Sequence, residues 1–187
     1  MNKWIIVFVL LAGSAACRHK QKENKIEGQI VSVVSYLKGQ VKAIDSISNP
    51  ILRIDQVDNV SDTTTISRTE FVKQAQAFLN LPDISADDRK EDYEETVDYD
   101  EEMNKVFMTY TATDSDEEIQ RQTVISEPNQ YGESKIKTVI INRVQANKDS
   151  TVEQNMTWHT DRRFQIVTKT KKPNEAEKIK ILIIQWE

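Results

Sequence analysis

Apolar residues recur at helical spacing in two places along the chain and at alternating spacing in several others. Ile26, Ile30, Val33, Val34, Leu37, Val41 and Ile44 fall on one helical stripe. Asn24 with Glu27 forms a capping pair in front of it, and Asn49-Pro50 ends it, because the residue before a proline is pushed out of the helical region. Gly28 and Gly39 weaken this helix by about 1 kcal/mol each relative to alanine. They mark either close packing or, as we read them, exposed positions that tolerate glycine. A short hairpin follows, with ILRIDQV, a turn at Asp58-Asn59 and a return through TTTI. The second helix carries the strongest local signal. Ser67-Arg68-Thr69-Glu70 is a capping box, Ile66 before it staples to Phe71, and Phe71, Ala75, Phe78 and Leu79 form its buried stripe up to Leu81-Pro82. Ser85 to Tyr93 predicts one or two further helical turns, started by Ser85 with Asp87 and Asp88 at the positive end of the dipole.

From residue 103 the period changes to two. MNKVFMTYTAT, EEIQRQTVIS, SKIKTVIINRVQ, STVEQNMTWH, RFQIVTKTK and EKIKILIIQW are strand-like runs rich in Val, Ile, Thr and aromatic residues. Turn-like segments join them, most too short for a parallel crossover of about a dozen residues, so neighbouring strands are antiparallel. The expected fold class is α+β: two N-terminal helices with a short hairpin, packed on a curved antiparallel meander of about six strands. The last run is apolar on both faces. That suits a central strand covered on both sides. Alternatively, the face carrying Leu182, Ile184 and Trp186 is a candidate wall for an apolar ligand or a partner.

The start of the chain has a different pattern. Met1-Asn2-Lys3 is short and basic, Trp4 to Ala12 is uniformly apolar, and Gly13-Ser14-Ala15-Ala16 is a small-residue exit. This is the layout of a secretory signal peptide. As a helix the apolar run spans about 14 Å, far short of the roughly 30 Å of a membrane core. Cys17, the single cysteine of the chain, follows directly. Ser14-Ala15-Ala16-Cys17 resembles a bacterial lipobox, with Ser14 standing where the pattern usually has Leu. The resemblance implies cleavage before Cys17 and attachment of acyl chains to it, each buried methylene adding about 0.8 kcal/mol to membrane attachment. A lone thiol consumed this way leaves no free cysteine and needs no disulfide partner. The expected organisation is a signal peptide over 1–16, a lipidated tether over 17–25 and one α+β domain over 26–187. Arg18 stands where an Asp would resemble an inner-membrane retention signal, so the resemblance favours the outer membrane, facing the periplasm.

Charge narrows the partners. The chain carries a formal −5, which becomes −6 once the lone lysine of residues 1–16 is removed. That argues against nucleic acid, which would demand a basic stripe. Residues 18–25, RHKQKENK, are basic and attract anionic headgroups only weakly. Four glycines in the whole chain leave no glycine-dense phosphate loop, no repeat of fixed period is visible, and no cofactor is implied.

Candidate chemistry is sparse. Ten acids fall in the sixteen residues from Asp87 to Glu102. Asp98, Asp100 and Glu102 alternate, as do Asp114, Asp116 and Glu118, and alternating carboxylates can offer oxygens to Ca²⁺. Neither segment has the glycine or the distant Glu of an EF-hand loop, and we read both as solvated surface. Trp158-His159-Thr160-Asp161 offers a base beside a carboxylate, but if Trp158 packs inward the strand turns His159 outward, and a turn histidine is the better reading. No glycine-flanked serine elbow is present.

The lipobox-like Cys17, the AIDSIS segment, FVKQAQAFL and the FQIVTKT strand together resemble small Gram-negative envelope lipoproteins of uncharacterised activity. The resemblance implies location and fold and carries no catalytic residue. Three functional readings follow. The first is a lipid-anchored, non-enzymatic binding or structural module for another envelope component. The second is a carrier or chaperone for an apolar ligand held between a curved sheet and helices, similar in logic to lipoprotein-sorting proteins. The third is a hydrolase built on His159 or an acid pair.

Overall fold

The structure, a computed structural model, describes residues 31–57, 60–129 and 133–186. Helix α1 runs Val33–Ala43 and is followed by a 3-10 turn at Ile44–Ser46. Its cap is Ser32, whose side chain accepts from the Ser35 amide at 3.2 Å. The expected capping pair Asn24/Glu27, the stripe positions Ile26 and Ile30, and Gly28 lie outside the described residues, as do Cys17 and the Asp58-Asn59 turn. Helix α2 spans Arg68–Leu79 with Ser67 accepting from the Glu70 amide at 3.2 Å, as its capping box predicts. Phe71, Ala75 and Phe78 are its buried stripe. A Cβ added at Gly39 meets nothing within 4 Å, so this glycine faces open space rather than a close neighbour. Among the described residues no helix is long and apolar enough to cross a membrane.

Nine strands form one open antiparallel sheet, not the six-strand meander expected. They are β1 (Ile51–Val57), β2 (Val60–Ile66), β3 (Tyr93–Asp100), β4 (Lys105–Ala112), β5 (Ile119–Pro128), β6 (Ser134–Ala146), β7 (Thr151–His159), β8 (Arg163–Lys171) and β9 (Lys178–Gln185). The spatial order is β2-β1-β9-β8-β7-β6-β5-β4-β3. The six late runs all appear, as β4 to β9. Two features differ from expectation. The β1–β2 hairpin belongs to the same sheet, because β1 pairs with β9. And Tyr93–Asp100, inside the acidic stretch, is a strand, preceded only by a short 3-10 turn at Lys90–Asp92 rather than by helical turns through Tyr93.

The physical reason for β3 lies in its register. Tyr93, Glu95, Val97 and Tyr99 pair with Ala112, Tyr110, Met108 and Val106. Tyr93 and Val97 thereby continue the apolar face of β4, while Glu95 accepts a hydrogen bond from the Tyr110 hydroxyl at 3.1 Å. As an edge strand, β3 meets water on its free side, and its exposed acids discourage another strand from adding there.

One face of the sheet is the core. Reading straight across all nine strands, Val97, Met108, Val124, Val139, Trp158, Phe164, Ile184, Arg53 and Thr64 form one continuous row. The row is apolar from β3 to β9 and turns polar at β1, where Arg53 pairs with Asp55 at 2.5 Å and approaches Glu70 of α2 at 3.6 Å. Val34, Leu37 and Val41 of α1 and the buried stripe of α2 join the same core. The adjacent row on the opposite face reads Thr96, Thr109, Thr123, Ile140, Thr157, Gln165, Ile183, Ile54 and Thr63, all half-buried or exposed.

Candidate functional site

The space between helices and sheet is where an apolar cargo would sit. Leu182, Ile184 and Trp186 face it and are all buried, Ile184 fully. They do not line an open wall. Alternation on β9 sends them inward, and aromatic residues from α2 and from β7 and β8 close over them. Phe71 meets Trp186 edge-on with ring centres 5.1 Å apart, and Phe78 meets Trp158 edge-on at 5.2 Å. Trp158 stacks on Phe164 at 5.0 Å. Such pairs contribute about 0.5–1.5 kcal/mol each beyond the area they bury. The indole N–H groups of Trp158 and Trp186 find no acceptor in this cluster.

The apolar surplus of β9 is on its other face. Ile181 and Ile183 stand beside Val167 on β8 and Ile54 and Leu52 on β1, all half-buried, with Ile179 exposed at the strand's start. Both helices lie on the opposite face, in the core. Among the described residues the patch therefore lacks the helical cover that its mirror image enjoys.

His159 ends β7, and its Nδ1 lies 3.1 Å from the Thr138 hydroxyl on β6. Asp161 sits in the β7–β8 turn with φ of 62°, a left-handed conformation that Asp adopts more readily than most residues. Its carboxylate pairs with Lys135 at 3.5 Å. The Thr160 amide donates to the Lys137 carbonyl at 2.9 Å, and the Trp186 amide to the Arg162 carbonyl at 2.9 Å. The turn is thus pinned between β6 and the end of β9. Around it is an open pocket of about 650 Å³, with cations from the start of β4 (Lys105), the start of β6 (Lys135, Lys137) and the turn itself (Arg162).

A second pocket, about 380 Å³, opens at the opposite end of the strands and is acidic, with Asp88, Asp92, Asp116 and Glu117 around Arg89. Arg89 reaches Glu117 at 3.5 Å. Burial first, and then the Glu117 carboxylate, pushes the neighbouring Tyr93 hydroxyl up to about 12. The alternating acids are used locally. Asp114 accepts from the Asp116 amide at 2.9 Å, Asp100 accepts from the Met103 amide at 2.8 Å, and Glu118 accepts from Arg143 at 2.6 Å and Gln145 at 3.0 Å. Among the described residues no group of three or more His, Cys, Asp or Glu is arranged to hold a metal ion.

Asp83 ties the start of α1 to the segment after α2. It accepts from the Ser32 hydroxyl at 2.5 Å and from the Ser85 amide and hydroxyl at 3.1 and 2.7 Å. Burial alone would push its carboxyl up. The hydrogen bonds from Ser32 and Ser85, with the charge of Lys38, outweigh that and hold it below the usual carboxylate range.

The basic pocket escapes sequence reading because its cations are spread over three separate segments. The only hint is that Lys105, Lys135 and Lys137 each fall at the start of a strand-like run. No family model, curated protein or solved structure matches the chain.

Proposed function

We propose that this protein is a lipid-anchored, periplasm-facing envelope module without catalytic activity, which binds another envelope protein through the open face of its sheet. The observation that carries the reading is the contrast around β9. Its inward residues Leu182, Ile184 and Trp186 are buried with four further aromatic side chains, Phe71, Phe78, Trp158 and Phe164, while Ile181 and Ile183, with Ile54 and Leu52 beside them, form an apolar patch on the face that no helix among the described residues covers. Contiguous half-exposed aliphatic residues rimmed by threonine and glutamine suit a protein interface. Anchoring rests on the lipobox-like Cys17. Membrane fractionation tests it: Cys17→Ser should move the protein from the membrane to the soluble periplasmic fraction. A photo-crosslinker placed at position 183 should capture one defined envelope protein, and the same group at Lys148, in the β6–β7 turn, should not. Equal, diffuse labelling from both positions would remove the interface.

The carrier reading keeps one observation in its favour. Two indole N–H groups without an acceptor, each costing about 1–3 kcal/mol when left buried and unpaired, would be satisfied by an acceptor on a bound apolar molecule. Native mass spectrometry of the protein purified from the periplasm separates the readings. An excess mass matching a lipid supports the carrier, and agreement of native and denatured masses supports the binding module.

A further inference from the structure

The two edges of the sheet are finished differently. Strand β3 carries Glu94, Glu95, Asp98 and Asp100 and no base, so a copy of β3 laid along it would set acid against acid. Strand β2 has none of the devices that protect an edge. Its sequence VSDTTTI holds one charge, no proline and no glycine, and it pairs with β1 along its whole length without a bulge. Residues 60–65 are exposed, and Val60, at 72%, is the most exposed large hydrophobic side chain among the described residues. No strand among the described residues lies on the far side of β2. Every second residue of β2 bonds to β1, so the N–H and C=O groups of the others point away from the sheet.

Strand β2 also matches itself. Laid antiparallel to a second copy with Thr63 opposite Thr63, it sets Asp62 opposite Thr64, Ser61 opposite Thr65 and Val60 opposite Ile66. Opposed residues of an antiparallel ladder face the same side, so the exposed Val60 meets an aliphatic partner and hydroxyl side chains meet one another, both favourable cross-strand pairs. The lone carboxylate faces a threonine. Moving the axis by one residue leaves only residues 60–64 or 62–66 paired, and the first of these opposes the two Asp62 side chains. The axis is a two-fold perpendicular to the sheet, which closes the pair and leaves neither β2 edge open. Thr63 ends the outer-face row that runs through Ile183 and Ile54, so this row continues into the second copy on the same face.

We propose that the edge of β2 is an interface for a second copy of this chain, the two joined antiparallel about Thr63 into one continuous sheet. A single strand pair is a small contact, so the dimer is concentration-dependent. The inference rests neither on the anchored reading nor on the open-face interface.

The test uses the full chain carrying Cys17→Ser, which removes its single cysteine. Sedimentation equilibrium at about 100 μM should give a species of twice the 21.6 kDa chain mass, falling to the monomer on dilution. Thr63→Lys sets two like charges against each other on the axis and should weaken dimerisation several-fold, and Thr63→Glu should do the same. An equimolar mixture of these two variants should restore the dimer, a recovery that misfolding cannot produce. Thr63→Cys should oxidise to a disulfide-linked dimer, because opposed residues lie about 4.5–5.5 Å apart between Cα atoms, within the span of a disulfide. Ser61→Cys should not, since its counterpart is Thr65. A chain that stays monomeric and gives no crosslink through Thr63→Cys overturns the proposal, even where an extended segment of another protein is found on β2. So does a dimer that survives both charged substitutions, or equal crosslinking from positions 61 and 63. The open-face interface is read from the crosslink at position 183, so the two readings fail independently.

Discussion

The two faces of the sheet are built by the same nine strands, in the same register, from residues that alternate one by one. They have come out as different materials. Trp158 and Phe164 stand side by side on the inner face, stacked 5.0 Å apart and without exposure. One residue away on the same two strands, Thr157 and Gln165 stand side by side on the outer face, half-buried and polar. Between β3 and β9 the inner row holds no polar residue, and the outer row mixes threonines with Ile140 and Ile183. A one-residue slip of any strand would exchange these sets, so the contrast itself secures the register. It also separates tasks. Stability is concentrated beneath the helices, which leaves the outer face free to vary.

The largest expected effect would break the inner face. Trp158→Ala should cost about 3–5 kcal/mol of unfolding free energy in a denaturant titration, because it removes the ring shared by Phe71, Phe78, Phe164 and Trp186. A loss below 1 kcal/mol would mean the cluster is not the seat of stability. Next comes the polar clasp at the rim of that core. Asp83→Asn should cost about 1–3 kcal/mol by weakening the bonds from Ser32 and Ser85. Its folded-state acidity is raised, so the contribution is complete above the unfolded value near 3.9 and fades as pH falls through the lower folded value. The two proteins should therefore converge in stability in acid, measured as melting temperature against pH. A third, smaller effect comes from the solvent side of α1. Gly39→Ala should stabilise by about 0.5–1 kcal/mol, since a methyl group there meets nothing. The smallest sharpens the comparison from outside. Ile181→Thr on the open face should change stability by no more than about 0.5 kcal/mol while abolishing the position-183 crosslink. Loss of several kcal/mol would show that this face is covered after all.

Much of the inner face was legible beforehand, for identifiable reasons. The capping box at Ser67 and the spacing of Phe71, Ala75 and Phe78 are local signals, and α2 follows them. Strands β4 to β9 were visible because Val, Ile, Thr and aromatic residues alternate between short turns. Strand β3 was hidden by its acids. Glu94, Glu95, Asp98 and Asp100 outnumber Tyr93 and Val97, and only an edge position makes so charged a strand acceptable. The union of β1 with β9 was hidden by distance, since no local pattern reports that residue 54 will pair with residue 183. The same limit applies to β9. Its double-sided apolar pattern was plain, but whether Leu182, Ile184 and Trp186 or their neighbours Ile181 and Ile183 would be covered depends on where two helices settle. The basic pocket needed three turns to converge, and no single segment announces it.

The pairing of β1 with β9 also sets an order of events. A two-stranded hairpin is marginal on its own in water. The hairpin over residues 51–66 is made early in synthesis, yet its lasting neighbour is the final strand, residues 178–185. Until that strand arrives, β1 has only one of its two strand neighbours, and β8 waits with an open edge. Every other strand pair along the meander closes between sequence neighbours, so a single long-range meeting limits the assembly. A chain made from its N-terminus carries this one join unmade until β9 is complete, with Leu52 and Ile54 still lacking their partners. Of the nine strands, the one made last is the one that locks the rest.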